Sequence, residues 1–232
     1  MRVAFVIPAY NEATVIPNVL KDLKKALAKT KLDYEIVVVD DGSSDKTGEI
    51  VKNEDVFVIS HILNSGSGSA TATGLSYAQQ SGFDIAATLD ADGQHDPSEV
   101  IKGVELIQKK KTDLLIGSRL INSKGMSKTK VAGNKGLSYI TFLLFGIKVT
   151  DSQSGMRIYS KKALDNLKWK SSGYEFCSEM LWRAKQQNMK VDEYPITAIY
   201  TDYSKAKGQN NWNSFNIIKS LLQRRIMEVF GE

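Results

Sequence analysis

A chain of 232 residues with 42% apolar and 25% charged residues can bury a substantial core and is most simply one domain. Its formal charge of +5 excludes an acidic, solvating chain and fits either a lysine-rich surface that serves solubility or an attraction for phosphates. One cysteine, Cys177, excludes an internal disulfide framework and fits a reducing cytoplasm; no apolar run reaches the ~20 residues of a membrane span, and the few apolar residues before Pro8 do not read as a signal peptide.

In chain order, 2–7 reads as a buried strand ended by Pro8, and 14–29 carries an apolar stripe at helical spacing through Val15, Val19, Leu23 and Leu27. A second strand over 34–39 runs into Asp40-Asp41-Gly42, followed by a helix near 45–52 and a third strand over 56–60. A glycine-serine segment then leads into a small-residue helix at about 69–80. The fourth strand, 83–89, ends on Asp90-Ala91-Asp92; a helix over 97–109 and a fifth strand over 113–117 follow. This alternation predicts an α/β fold with a mostly parallel sheet flanked by helices, which binds ligands beyond the carboxyl ends of its strands. Asn11, Asp40, Asp41, Gly66, Asp90 and Asp92 all fall at those ends. After Arg119 the pattern changes: a polar, mobile loop over 121–130, a helix to Phe145, strands over 155–159 and 191–200 around a helix near 175–187, and a terminal amphipathic helix over 213–230.

Two carboxylates one residue apart at a buried strand's exit repel each other unless a cation or proton lies between them, so Asp90 and Asp92 predict a hard divalent metal, Mg²⁺ or Mn²⁺. Asp40-Asp41 reads either as a strand-ending turn or as acceptors for a nucleoside, and Asn11-Glu12 either as a helix-cap region or as part of the same pocket. The amides around Gly66 precede a helix and could meet an anion, although the segment lacks the dinucleotide-binding fingerprint. His61 reads as structural, and His95 as a group that orders the acidic pair. Arg119, just past a strand end, could clamp a phosphate. Lys128, Lys130 and Lys135 ahead of the apolar 140–145 fit either an ordinary amphipathic helix or a receiver of a lipid phosphate.

These residues together resemble family 2 glycosyltransferases of the GT-A fold, and within them the polyprenyl-phosphate mannose and glucose synthases. The resemblance rests on 7–12 (IPAYNE), 37–45 (VVVDDGSSD), 89–95 (LDADGQH), 117–119 (GSR) and 150–157 (TDSQSGMR), in that order. It implies one glycosyltransferase domain, with a nucleotide-sugar-binding half over 1–119 and an acceptor-binding half over 120–232. It implies that Pro8, Tyr10, Glu12 and Asp40 hold the donor nucleoside, that Asp90, Asp92 and Gln94 ligate the metal, and that Arg119 meets donor or acceptor phosphate. Where the synthases grip the lipid phosphate with an arginine and a serine, this chain has Lys130 and Asn134; a basic loop near the diphosphate would use Lys205 or Lys207.

The activity so implied is inverting transfer of a hexose from a GDP- or UDP-sugar to a polyprenyl phosphate. Peripheral membrane contact at the cytoplasmic face would come through 130–145 and 212–230, and no nucleic-acid partner is implied. A phosphate acceptor needs no strong base, whereas a sugar hydroxyl would need Asp151 or Glu179. Two rival classes are an aspartate-nucleophile phosphatase using Asp90 and Asp92, and a non-catalytic nucleotide-binding module.

Overall fold

The structure is a computed structural model that describes residues 1–200, 217–223 and 225–226. The strands are β1 (Arg2–Ala9), β2 (Asp33–Asp40), β3 (Phe57–Ser60), β4 (Ile85–Thr88), β5 (Leu114–Ser118), β6 (Arg157–Ser160) and β7 (Val191–Pro195). The helices are α1 (Ile16–Leu27), α2 (Thr47–Lys52), α3 (Ser67–Gln80), α4 (Pro97–Lys110), α5 (Lys128–Phe145), α6 (Lys161–Asn166) and α7 (Phe176–Gln186). Residues 217–223 form a further helical stretch.

All seven strands join one sheet in the order β3-β2-β1-β4-β6-β5-β7. Pairing is parallel except where β6 runs antiparallel to β4 and β5. Alternation along β1 separates the two cores: Val3, Phe5 and Ile7 face α1 and α4, while Ala4 and Val6 face α3, α6 and α7. A third, smaller cluster joins Leu137 and Phe145 of α5 to Trp182, Ile217 and Leu221.

Pro8 does not end β1: it pairs in register with Val39, and the strand runs on to Ala9. Ala9 O accepts the Asp41 amide on the β2 side, and Val6 O accepts the Leu89 amide on the β4 side. Pro8 shares the orientation of Val6, so its missing N–H faces the side where β4 has already stopped at Thr88, and no ladder bond is lost. The expected strand over 191–200 stops at Pro195, and α6 is an addition that the sequence reading lacks; Ser160 caps it by accepting the Ala163 amide at 3.3 Å.

Because β6 is antiparallel, it starts at the edge where β1, β2, β4 and β5 end. The segment 151–156 is thereby delivered to the same rim as Asp40, Asp90 and Arg119. α4 begins at that rim too, with Asp96 accepting the Ser98 amide at 2.8 Å and Pro97 in the first turn.

Candidate active site

The two strand-end turns of the first half are stapled together. Asn11, at φ 54°, lies in the left-handed region that asparagine tolerates, and its side-chain oxygen accepts the Ser44 and Asp45 amides at 2.8 and 3.3 Å. The Glu12 amide donates to Thr47 Oγ1 at 2.8 Å, leaving Glu12 nearly buried, while Tyr10 stays 42% exposed at the rim. Asp40 accepts the Ser43 amide at 3.1 Å, and its other carboxylate oxygen packs where a side chain at position 48 would stand, so a Cβ at Gly48 would displace that carboxylate.

Asp41 turns the other way. Its buried carboxylate accepts the Ser65 and Gly66 amides at 2.9 and 2.8 Å and lies 2.6 Å from His61 Nδ1, while His61 Nε2 reaches Thr73 Oγ1 at 3.0 Å. The anion that these loop amides meet is the chain's own aspartate. Gly66, at φ 95°, has no room for a side chain against Ser172 O, so α3 starts in close contact with the loop over 170–173.

Asp90 stands at the floor of the rim with 48% of its side chain open. Protein still surrounds it closely enough that burial pushes its carboxyl above the usual range, against the opposing fields of Arg119 and Arg157. Asp92 is raised as well, first by burial and then by Asp90. Its two oxygens accept the Gln94 amide at 3.0 Å and Gln94 Nε2 at 2.6 Å. His95 is buried and its pKa is lowered to about 4 by that burial, so the ring is neutral. Nδ1 accepts the Asp90 amide at 3.2 Å, which leaves the proton on Nε2, 3.6 Å from an Asp90 carboxylate oxygen. Gly155 closes the floor: a Cβ there would enter the space of the Asp90 carboxylate, and Thr88 Oγ1 fixes its carbonyl at 2.7 Å.

Two half-buried carboxylates with a side-chain amide beside them fit a hard divalent cation. Among the described residues no cluster of three or more His, Cys, Asp or Glu side chains could hold one by itself. Oxygens from a bound ligand would have to complete the shell.

Arg119 and Asp151 form a two-point pair, Nε to Oδ2 at 2.7 Å and Nη2 to Oδ1 at 2.9 Å, with the Arg119 amide also donating to Oδ2 at 3.1 Å. Burial opposes the guanidinium's charge, but Asp151 more than offsets it and holds its pKa above the ordinary value. Asp151 is fully buried with both oxygens engaged; Glu179, also fully buried, accepts the Lys170 and Ser171 amides at 3.1 and 2.9 Å. Lys130 Nζ sits 4.3 Å from the centroid of Tyr200, whose phenol is raised by burial and lies in the field of Arg119 and Asp151. Lys130, Tyr200, Arg119 and Asp151 therefore gather on one side of the rim, with Asn134 half-buried one turn along α5 from Lys130. Lys205, Lys207, Trp212, Phe215 and Phe230 lie outside the described residues.

Three site-shaping residues carry no assigned role in the sequence reading: Gly155 and Arg157, both inside the 150–157 motif, and Tyr200. Arg157 is 1% exposed on β6 and donates to the carbonyls of Ser152, Ser154 and Cys177 at 2.7, 3.0 and 3.1 Å. An arginine inside an apolar strand was the available signal, since a buried cation must find acceptors.

The family model described as "Glycosyl transferase family 2" matches residues 4–168. The chain belongs to glycosyltransferase family 2. It is 42% identical over 247 residues to the UDP-N-acetylglucosamine–dolichyl-phosphate N-acetylglucosaminyltransferase of Methanococcus voltae, covering 97% of this chain and 96% of that one. It is 30% identical over 219 residues to the undecaprenyl-phosphate mannosyltransferase of Micrococcus luteus, covering 89% and 87%. Among solved structures, glucosyl-3-phosphoglycerate synthase of Mycobacterium tuberculosis with Mn²⁺, UDP and phosphoglyceric acid superposes with a TM-score of 0.71 at 17% identity, covering 99% of this chain and 78% of that one. The fold is GT-A, the chain is a glycosyltransferase, and it resembles the polyprenyl-phosphate synthases. The phosphatase and binding-module readings give way to this membership.

Proposed function

We propose that this glycosyltransferase moves a hexose from a GDP- or UDP-sugar to a polyprenyl phosphate, with inversion at the anomeric carbon and with Mg²⁺ or Mn²⁺ bound. The observation that carries the reading is the Asp90/Asp92 pair, half-buried at a strand end with Gln94 beside Asp92 and the Arg119 field on Asp90. The names of the Methanococcus and Micrococcus relatives support a polyprenyl-type phosphate as acceptor.

In this reading Pro8, Tyr10, Glu12 and Asp40 line the nucleoside pocket, and Asp41 with Gly66 sets its wall. Asp90, Asp92 and Gln94 hold the metal, which when bound supplies positive charge to the diphosphate. A lipid phosphate oxygen forms the new bond to the anomeric carbon as the bond to the nucleoside diphosphate breaks. The oxygen is already anionic, so no side chain has to remove a proton. Asp151 holds Arg119 in its two-point pairing and aims the remaining N–H donors at phosphate. Lys130 and Asn134 meet the acceptor phosphate, and Lys205 or Lys207 the leaving diphosphate. The division into a donor half over 1–119 and an acceptor half over 120–232 follows from these roles, and the enzyme works at the cytoplasmic face of the membrane. A hydroxyl acceptor is disfavoured because Asp151, the nearest carboxylate to Arg119, has both oxygens engaged.

The test is a thermal-shift screen of GDP- and UDP-sugars with and without Mn²⁺, followed by transfer of labelled sugar to a short-chain polyprenyl phosphate. Metal-dependent stabilisation and an acid-labile glycosyl phosphate product are expected. No stabilisation by any nucleotide would sink the donor site, and transfer only to sugar hydroxyls would sink the acceptor.

A further inference from the structure

The turn that carries Asp151 is held by side chains alone. Among the described residues no main-chain carbonyl accepts the amide of Thr150, Asp151 or Ser152. Ser138 Oγ of α5 accepts the Ser152 amide at 2.9 Å, and the half-buried carboxylate of Glu193 on β7 takes the other two. The Thr150 amide donates to both Glu193 oxygens at 2.9 and 2.8 Å, and the Asp151 amide donates to Oε1 at 3.1 Å.

The same carboxylate ends a chain of hydroxyls. The Thr150 hydroxyl donates to Glu193 Oε1 at 2.8 Å, so its oxygen is left to accept from the Ser118 hydroxyl at 2.6 Å. Ser118 Oγ in turn accepts the Leu120 amide at 3.2 Å. Every hydrogen in this chain points one way, from Leu120 through Ser118 and Thr150 to an acceptor that carries none, and bonds so aligned polarise one another. Ser118 and Leu120 flank Arg119, and Thr150 precedes Asp151, so one chain brackets both members of the guanidinium pair. Lys110, the cation beside Glu193, reaches Asp192 and the Glu193 carbonyl oxygen, so the carboxylate's charge is spent on the turn.

We propose that Glu193 is a positioning residue for glycosyl transfer: by ordering the 150–151 turn and the end of β5 together, it fixes how Asp151 presents the Arg119 guanidinium to phosphate. This role rests on the reading of Arg119 as the group that meets phosphate. The sheet itself does not need the carboxylate. β7 already pairs with β5 along its length, Ile116 opposite Glu193 and Ser118 opposite Pro195. Thr150 is exposed and Glu193 half-buried, so truncating either leaves no apolar cavity in the core. What the turn needs is an acceptor for two amides and a hydroxyl arriving from one side, which an ionised carboxylate meets with short, strong bonds. A water in its place would bring hydrogens of its own among those donors.

Glu193→Ala and Thr150→Val in the full chain test the role by NMR and by kinetics. The Arg119 Nε–H signal, assigned by its loss in Arg119→Lys, reports the pair without any substrate. Its exchange with solvent should quicken about tenfold or more in both variants, because the frame around the pair opens more often. Transfer to a water-soluble short-chain isoprenyl phosphate should lose about tenfold or more in kcat/KM, the order that a small misplacement in a site costs. Stabilisation by nucleotide with Mn²⁺ should stay at the parent level, and Thr150→Ser, which keeps the hydroxyl, should behave as the parent. Unchanged exchange in Glu193→Ala, unchanged kcat/KM, or a loss of activity that only follows a fall in melting temperature would each overturn the proposal. If the parent glycosylates the phosphate but the Arg119 signal ignores Glu193→Ala, the positioning role fails and the function stands. If the signal responds but the parent uses only hydroxyl acceptors, the acceptor reading fails alone.

Discussion

Gly155 stands where any side chain would occupy the space of the Asp90 carboxylate. Its backbone does not need glycine's left-handed freedom, and the atoms in conflict are at the tip of an aspartate that can swing aside. Gly155→Ala should therefore leave the melting temperature within a few degrees of the parent and lower kcat/KM about 100-fold, the scale of an ångström's misplacement in a site. Equal loss of stability and activity would mean that the residue serves packing alone. Asp151 poses the opposite case: removing its charge leaves the Arg119 guanidinium mostly buried with half its pairing gone. Asp151→Asn should cost about 3 kcal/mol in urea unfolding, because a broken buried pair leaves an uncompensated charge. At this scale the acidic strand ends and Arg119 were legible in the sequence, since each is a polar residue closing an apolar run. Gly155 was legible only as a member of the 150–157 motif; its role was not, because its reason lies 65 residues away in the chain at Asp90.

The elements show where local pattern stops informing. Apolar periodicity located every strand and all helices but α6, whose single capped turn and a half is too short to display a stripe. The direction of β6 was not legible either, because alternation is the same read in both senses; only the pairing with β4 and β5 decides it. The glycine-serine segment before α3 carried the signal of an anion-binding loop, and the structure fills it with Asp41 from the end of β2, 24 residues earlier. That contact ties β2, the His61 turn and the start of α3 into one unit at the rim. Asp41→Ala should leave the Ser65 and Gly66 amides without their acceptor and cost about 3 kcal/mol, at the order of 1–3 kcal/mol for each abandoned buried donor. Urea midpoints measure the loss; a change within 0.5 kcal/mol, the range of ordinary surface substitutions, would show that water replaces the carboxylate.

On the scale of the molecule, the donor and acceptor halves proposed above share a single sheet. β6, from the second half, lies between β4 and β5, and the two partners of β5 are β6 and β7, both contributed after residue 119. A fragment ending at Arg119 keeps β3, β2, β1 and β4 as neighbours but strands β5, whose Leu114, Leu115 and Ile116 are fully buried in the whole chain. It also exposes the β4 edge and strips α4 of Ile158 and Tyr194, which share its core cluster. The fragment 1–119 should accordingly show no cooperative unfolding by circular dichroism, and should bind an apolar dye or aggregate at micromolar concentration. A sharp two-state transition with metal-dependent nucleotide stabilisation would instead make the donor half a folding unit. Because β6 also carries Arg157 and begins just after Gly155, closing the sheet and finishing the floor beneath Asp90 are one event, and donor binding should report whether the whole chain has folded.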